Sequence, residues 1–143
     1  MARPALGPLK KGDIVIVRSR GNRASERERV CEMRVATIGP KWVGLLTADS
    51  QWAGTPDERY FVRRFLLADQ REGVPGKRVG YGASFATREQ YEYDLALEQA
   101  ARVITDCGLD VRCDSVFYGD EGIFRLASIL RQAITEPSWR RWQ

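Results

Sequence analysis

Lys10-Lys11-Gly12-Asp13-Ile14-Val15-Ile16-Val17-Arg18 decides the fold class. Two lysines and Gly-Asp make a solvated turn, and the β-branched run after it has stiff χ1 angles that suit a pleated strand. Three further runs extend the pattern. Val30 to Ile38 sets Val30, Glu32, Arg34 and Ala36 on one phase and Cys31, Met33, Val35 and Thr37 on the other. Gly39-Pro40 turns the chain, Lys41 to Ala48 resumes through Trp42, Val43, Leu45 and Leu46, and Tyr60 to Leu67 makes a fourth, aromatic-rich strand. Four closely spaced strands predict a small antiparallel β-barrel over residues 1–71, with Ser19 to Arg29 as a long hairpin loop. No segment stands out as the fifth strand that would close it.

Residues 72–86 read as a hinge, since Gly73 to Gly82 holds four glycines and a proline in ten positions. A phosphate loop is rejected there because Arg78, not Ser or Thr, follows Gly76-Lys77. From residue 87 to 143 the period becomes helical. Thr87-Arg88-Glu89-Gln90 is a capping box, and Gly108 suits the left-handed position that ends the helix. Tyr93, Ala96, Leu97, Ala100, Ile104 and Cys107 make one apolar stripe. Leu109 to Phe117 alternates and predicts an extended piece. A second helix, Glu121 to Ile134, buries Ile123, Leu126, Ala127, Leu130 and Ile134 and stops before Pro137. The expected class is therefore α+β: an N-terminal antiparallel β-barrel, a hinge and a two-helix C-terminal module.

The 143 residues contain no histidine. That argues against Ser-His-Asp and Cys-His hydrolases, His-ligated metals and the usual general base near neutral pH. What remains lacks catalytic spacing. Asp106, Asp110, Asp114, Asp120 and Glu121 read as a solvated acidic face rather than a Mg²⁺ site, with Asp120 capping the last helix. Cys31, Cys107 and Cys113 fit no metal spacing and read as reduced, packed thiols. The expectation is a non-enzyme with no cofactor and no metal. The N-terminus has no long apolar run and no stretch could span a bilayer, so a cytoplasmic protein without membrane contact is expected.

Charge points to a binding surface. Residues 1–82 carry 16 basic and 9 acidic side chains, net +7, and residues 83–143 carry 7 and 10, net −3. Arg18, Arg20, Arg23, Arg27 and Arg29 flank or occupy one loop, and Lys41-Trp42 sits at a turn. Cations interleaved with aromatics suit phosphate neutralisation and base stacking. Because Glu26, Glu28 and Glu32 lie among these arginines, a merely solvated loop or an anionic protein partner stays open. Arg63 and Arg64 must point to opposite faces of a strand, so one of them is half-buried or salt-bridged. Trp42 and Trp52 serve as core, rim or platform. Trp139-Arg140-Arg141-Trp142 follows the helix stop and combines the side chains favoured at interaction hot spots; it either folds back on the helices or docks on a partner or a second copy.

The Lys10 to Val17 stretch resembles the first strand of SH3-like and KOW-type barrels. Taken with Lys11 to Leu67, Thr87 to Gly108 and Gly122 to Arg131, the chain is similar to small actinobacteriophage β-barrel-domain accessory proteins. That resemblance implies an SH3-like barrel and a phage protein acting in a bacterial host cell; it carries over no functional residue. The leading expectation is a phage-type accessory protein whose basic barrel face binds nucleic acid. The alternative is a modulator that docks on a bacterial host protein through the barrel rim and the Trp139 to Trp142 tail.

Overall fold

A computed structural model describes residues 2–19, 28–74, 77–78, 82–109 and 111–135, with backbone alone for 74, 77–78, 111–118 and 135. The strands are β1 (Ile14–Ser19), β2 (Arg29–Ile38), β3 (Trp42–Thr47), β4 (Arg63–Leu66), β5 (Gly73–Val74), β6 (Lys77–Arg78) and β7 (Ser84–Ala86). Two helices follow, α1 (Arg88–Asp106) and α2 (Val111–Thr135). The main sheet is antiparallel and curled, in the order β4-β3-β2-β1-β7, and β5 pairs with β6. The α+β class expected from the sequence is therefore observed.

Alternation builds the sheet's core. Val15, Val17, Met33, Val35, Val43, Leu45, Phe65 and Phe85 all face one side and are at most 2% exposed. Phe65 and Phe85 meet edge to face with centroids 5.8 Å apart, although they lie on strands at opposite edges of the sheet. Burying each such side chain is worth about 1.5–3 kcal/mol. Between Val35 and Thr37 the register slips by one residue, leaving Ala36 as a β-bulge. Beyond it Thr37, not Ala36, stands opposite Gly44 on the outer face.

The fifth strand comes from the stretch that composition marks as a hinge. Ser84, Phe85 and Ala86 pair with β1, and Gln70 to Glu72 bridges the two edges. Leu66 N–H donates to Arg71 O at 2.8 Å, and Phe85 N–H donates to Gln70 O at 2.8 Å. Such short pieces fall below what periodicity can reveal. Tyr60 is not in the fourth strand; it ends a 3₁₀ turn, Glu58–Tyr60, and pairing begins at Arg63.

The chain forms two compact units, Ala5–Tyr91 and residues 1–4 with Glu92–Gln143, so the division falls inside α1 rather than at 72–86. The capping box forms as the sequence predicts. Gln90 N–H donates to Thr87 Oγ1 at 3.2 Å, and Thr87 N–H donates to Gln90 Oε1 at 3.1 Å. Gln90, 1% exposed, also accepts from Gln70 Nε2 at 2.8 Å, and that amide donates to Phe85 O at 2.9 Å. One glutamine thus starts the helix and ties its first turn to the sheet's edge.

In the other unit Ala100, Ile104, Ile123 and Ala127 make the core, flanked by Leu97, Phe124, Leu126 and Leu130. Two expectations about these helices are corrected. The segment expected to extend over Leu109 to Phe117 is helical from Val111, because no strand among the described residues pairs with its backbone and helical bonds satisfy it instead. Gly119, at φ 62° and ψ −169°, interrupts α2 before the stretch expected to be helical. Ile134 is 63% exposed and Ala96 is exposed, since the stripe outruns the small core that the two helices share. Cys31 and Cys107 are exposed rather than packed; the Cys113 side chain is outside the described residues. No helix among the described residues is long and apolar enough to cross a membrane.

Candidate nucleic-acid interface

Because Val43, Leu45 and Phe65 point to the core, Trp42, Gly44, Leu46 and Arg64 point the other way, and Arg34 joins them from β2. This outer face carries the cations of interest. The Arg64 guanidinium lies 4.7 Å from the centroid of the Trp42 ring. That indole is half-buried against Gly39, where a Cβ would come within 2.6 Å of it. The exposed Lys41 precedes it at the turn. Arg34 stands opposite Leu46, and Gly44 stands opposite Arg64. Two strand spacings and two residues separate the arginines, on the order of 12 Å between Cα atoms.

The neighbouring strand positions divide into a neutralised end and a cationic one. Arg18 grips Glu28 with both ends of its fork, at 2.8 and 3.0 Å, and also lies 5.7 Å from the Tyr91 ring. Arg88 pairs with Glu32 at 3.1 Å. Arg63 leaves the opposite face of β4 to hold Glu72 at 2.7 and 3.0 Å. That contact raises the Arg63 pKa, chiefly through the hydrogen bond to Glu72, and keeps it charged. The expectation that Arg63 and Arg64 diverge, one of them salt-bridged, is thus met. By contrast no carboxylate lies within ion-pair distance of Lys11, Arg34, Lys41 or Arg64 among the described residues.

The residues singled out from sequence do not share one patch. Arg18 and Arg29 lie at the end of β1 and the start of β2, whereas Lys41 and Trp42 follow the far end of β2. Nine steps of strand separate Arg29 from Ile38, about 30 Å. Arg29 is exposed, while Arg18 is occupied by Glu28. Arg20, Arg23 and Arg27, and the tail residues Trp139, Arg140, Arg141 and Trp142, lie outside the described residues. Sequence reading missed Lys11, Arg34 and Arg64 as a set with Lys41 and Trp42. The available signal was strand phase, which puts Arg34 opposite to Met33 and Val35.

The connector between β3 and β4 adds aromatic surface. Phe61, 46% exposed, stacks on Trp52 with centroids 4.6 Å apart and planes at 7°. Tyr60, 68% exposed, holds the Arg59 guanidinium 4.9 Å from its ring centroid. Trp52 therefore serves as a rim residue. No three of His, Cys, Asp and Glu converge as metal ligands among the described residues.

The family model of the phage ProQ C-terminal-like domain matches residues 1–132. The chain belongs to this family. Both compact units fall within the matched range, up to residue 132, so the family's pattern takes in the curled sheet and the two helices together. The phage setting expected from the resemblance is supported in this coarser form: the chain is a phage-type protein. No curated protein and no solved structure matches it.

Proposed function

We propose that this domain is a non-enzymatic accessory protein that binds nucleic acid through the outer face of its sheet. One observation carries the reading. Arg64 lies on Trp42 beside Lys41, with Arg34 and Lys11 on the same side of the fold, and none of the four cations is neutralised by a carboxylate within 4 Å among the described residues. Cations left open in this way are available to phosphates, and an indole with guanidinium beside it is a stacking platform. Arg18, Arg63 and Arg88, each already held by a glutamate, are given a smaller part in this reading.

Titration of labelled oligonucleotides at low salt tests this. Arg64→Glu and Lys41→Glu weaken binding, whereas Arg18→Glu changes it little beyond any loss of stability. Absence of binding at low salt, or equal loss from all three variants, removes the reading. The exposed pair Tyr60 and Phe61 favours a second one, docking on a bacterial host protein in the cytoplasm through the rim and the Trp139 to Trp142 tail. Tyr60→Ser with Phe61→Ser, and deletion of residues 138–143, then abolish capture of one stoichiometric host partner while oligonucleotide binding persists.

A further inference from the structure

A cavity of about 220 Å³ opens on the outer face, between the turn before β1, the strands β2 and β3, and the connector after β3. Ala36, Leu46, Ala48 and Ala53 supply its apolar wall. Lys11 and Arg34 stand on its lining as exposed cations. Glu58 lines it too, and its position is fixed because Gly54 N–H donates to Glu58 Oε2 at 2.6 Å. The turn that carries Lys11 is fixed in turn, since Gly12 N–H donates to Val35 O at 2.8 Å.

The volume is below the ~300–1,000 Å³ of sites for drug-sized ligands, so the cavity suits one ring system and little more. Its three chemistries are those of one nucleotide: an apolar wall for a planar base, cations for a phosphate, and a fixed carboxylate that accepts hydrogen bonds but donates none. A base held inside a duplex cannot enter such a site; an unstacked one can. We propose that this cavity captures one unstacked nucleotide of a single strand. Lys11 and Arg34 contact the phosphate, and Glu58 accepts from an exocyclic amino group. Cytosine offers that amino donor, whereas thymine offers only its ring N3–H, so the site favours cytosine. The inference rests on the nucleic-acid reading above and adds to it a strand state and a base preference.

The experiment compares the full chain and its variants on labelled single-stranded oligo-dC and oligo-dT, on a duplex of equal length, and on free cytidine monophosphate. A charge-assisted hydrogen bond to a carboxylate corresponds to a preference of about tenfold for oligo-dC. Glu58→Gln keeps an oxygen for Gly54 and turns an amide donor to the base, so the preference falls away or inverts toward oligo-dT. Ala53→Phe at the exposed side of the cavity weakens single-strand binding, with folding checked by circular dichroism. Equal binding of oligo-dC and oligo-dT, with Glu58→Gln and Ala53→Phe like wild type, overturns the cavity's role. If Arg64→Glu still weakens binding in that case, the broader reading survives it. Preference for the duplex, or cytidine monophosphate binding as tightly as the strand, overturns the single-strand assignment. Failure of every oligonucleotide to bind removes both proposals together.

Discussion

A Cβ added at Gly44 would collide with Thr37 Oγ1 and lie 2.6 Å from Val62 Cγ1. These side chains close over the glycine from β2 and from the approach to β4, so the outer face is tightly packed at its centre. Gly44→Val should destabilise by about 1–3 kcal/mol, the usual range for overpacking, and Val62→Ala should restore part of it; urea unfolding measures both. Gly39 works differently. Its Cβ would come within 2.6 Å of the Trp42 indole, a side chain that can shift. Gly39→Ala therefore moves the platform without changing any charge. If Trp42 stacks on bases, oligonucleotide affinity drops by about fivefold, a part of the ~1–3 kcal/mol such stacking is worth, while stability changes little. Gln90 is the residue on which two units of local structure depend. Gln90→Ala removes the capping partner of Thr87, worth ~0.5–2 kcal/mol, and deprives the Gln70 amide of one acceptor. The melting temperature should fall, and it should fall with Gln90→Glu as well, because a carboxylate at this 1% exposed position loses the donation from Gln90 Nε2 to Gln70 Oε1 and buries a charge.

Helix α1 meets α2 through a polar contact as well as an apolar one. Tyr93 OH donates to Asp120 Oδ2 at 2.8 Å, and its ring lies edge-on to Phe124 with centroids 5.6 Å apart. Burial first, and then the bond to Asp120, pushes the Tyr93 hydroxyl from its ordinary 10 up to about 12. The folded state therefore holds this proton more tightly than the unfolded one. Its contribution is complete below pH 10 and is lost as pH rises toward about 12. Urea unfolding followed by helicity at pH 9, 10 and 11 should show a falling midpoint, and Tyr93→Phe should flatten that fall. Residue Gly119, at φ 62° and ψ −169°, occupies a region open essentially to glycine alone. Gly119→Ala should cost on the order of 1–3 kcal/mol in the same assay. At this scale the sequence was most legible where a device spans a few residues. The capping box at Thr87 and Gln90, the β-run from Ile14 and the divergence of Arg63 and Arg64 are all local rules that the fold obeys. What escaped was non-local. Ser84 to Ala86 is too short to show a period and becomes a strand only because β1 offers an edge. Leu109 to Phe117 alternates as a strand would, and what overrides that local pattern is that no strand among the described residues pairs with it. The cavity escaped for the same reason, because Lys11, Arg34 and Glu58 meet only once the sheet has curled.

Over the whole molecule the formal charge of +4 is a poor guide to binding. The charges are also unevenly paired: of the 16 cations in residues 1–82, Arg18 and Arg63 are held by Glu28 and Glu72, while Glu32 holds Arg88 from the following segment. Exposed charges farther apart than about 8–10 Å are screened at physiological salt, so the local set matters more than the sum. Lys11, Arg34, Lys41 and Arg64 make four cations without a carboxylate partner among the described residues. If these four supply the phosphate contacts, the logarithm of affinity for a single strand should fall against the logarithm of salt with a slope of about −3, from ~0.7 per phosphate. Arg34→Gln with Arg64→Gln should lower that slope to about −1.4 by the same rule. Arg18→Gln should leave it unchanged, because that guanidinium already faces Glu28. A slope much steeper than −3 that the double variant leaves intact would place the contacts elsewhere, on Arg20, Arg23 and Arg27, which lie in sequence between β1 and β2. Charge reversal at those three arginines would then reduce the slope in turn, and the outer face of β3 and β4 would lose its claim to the phosphates.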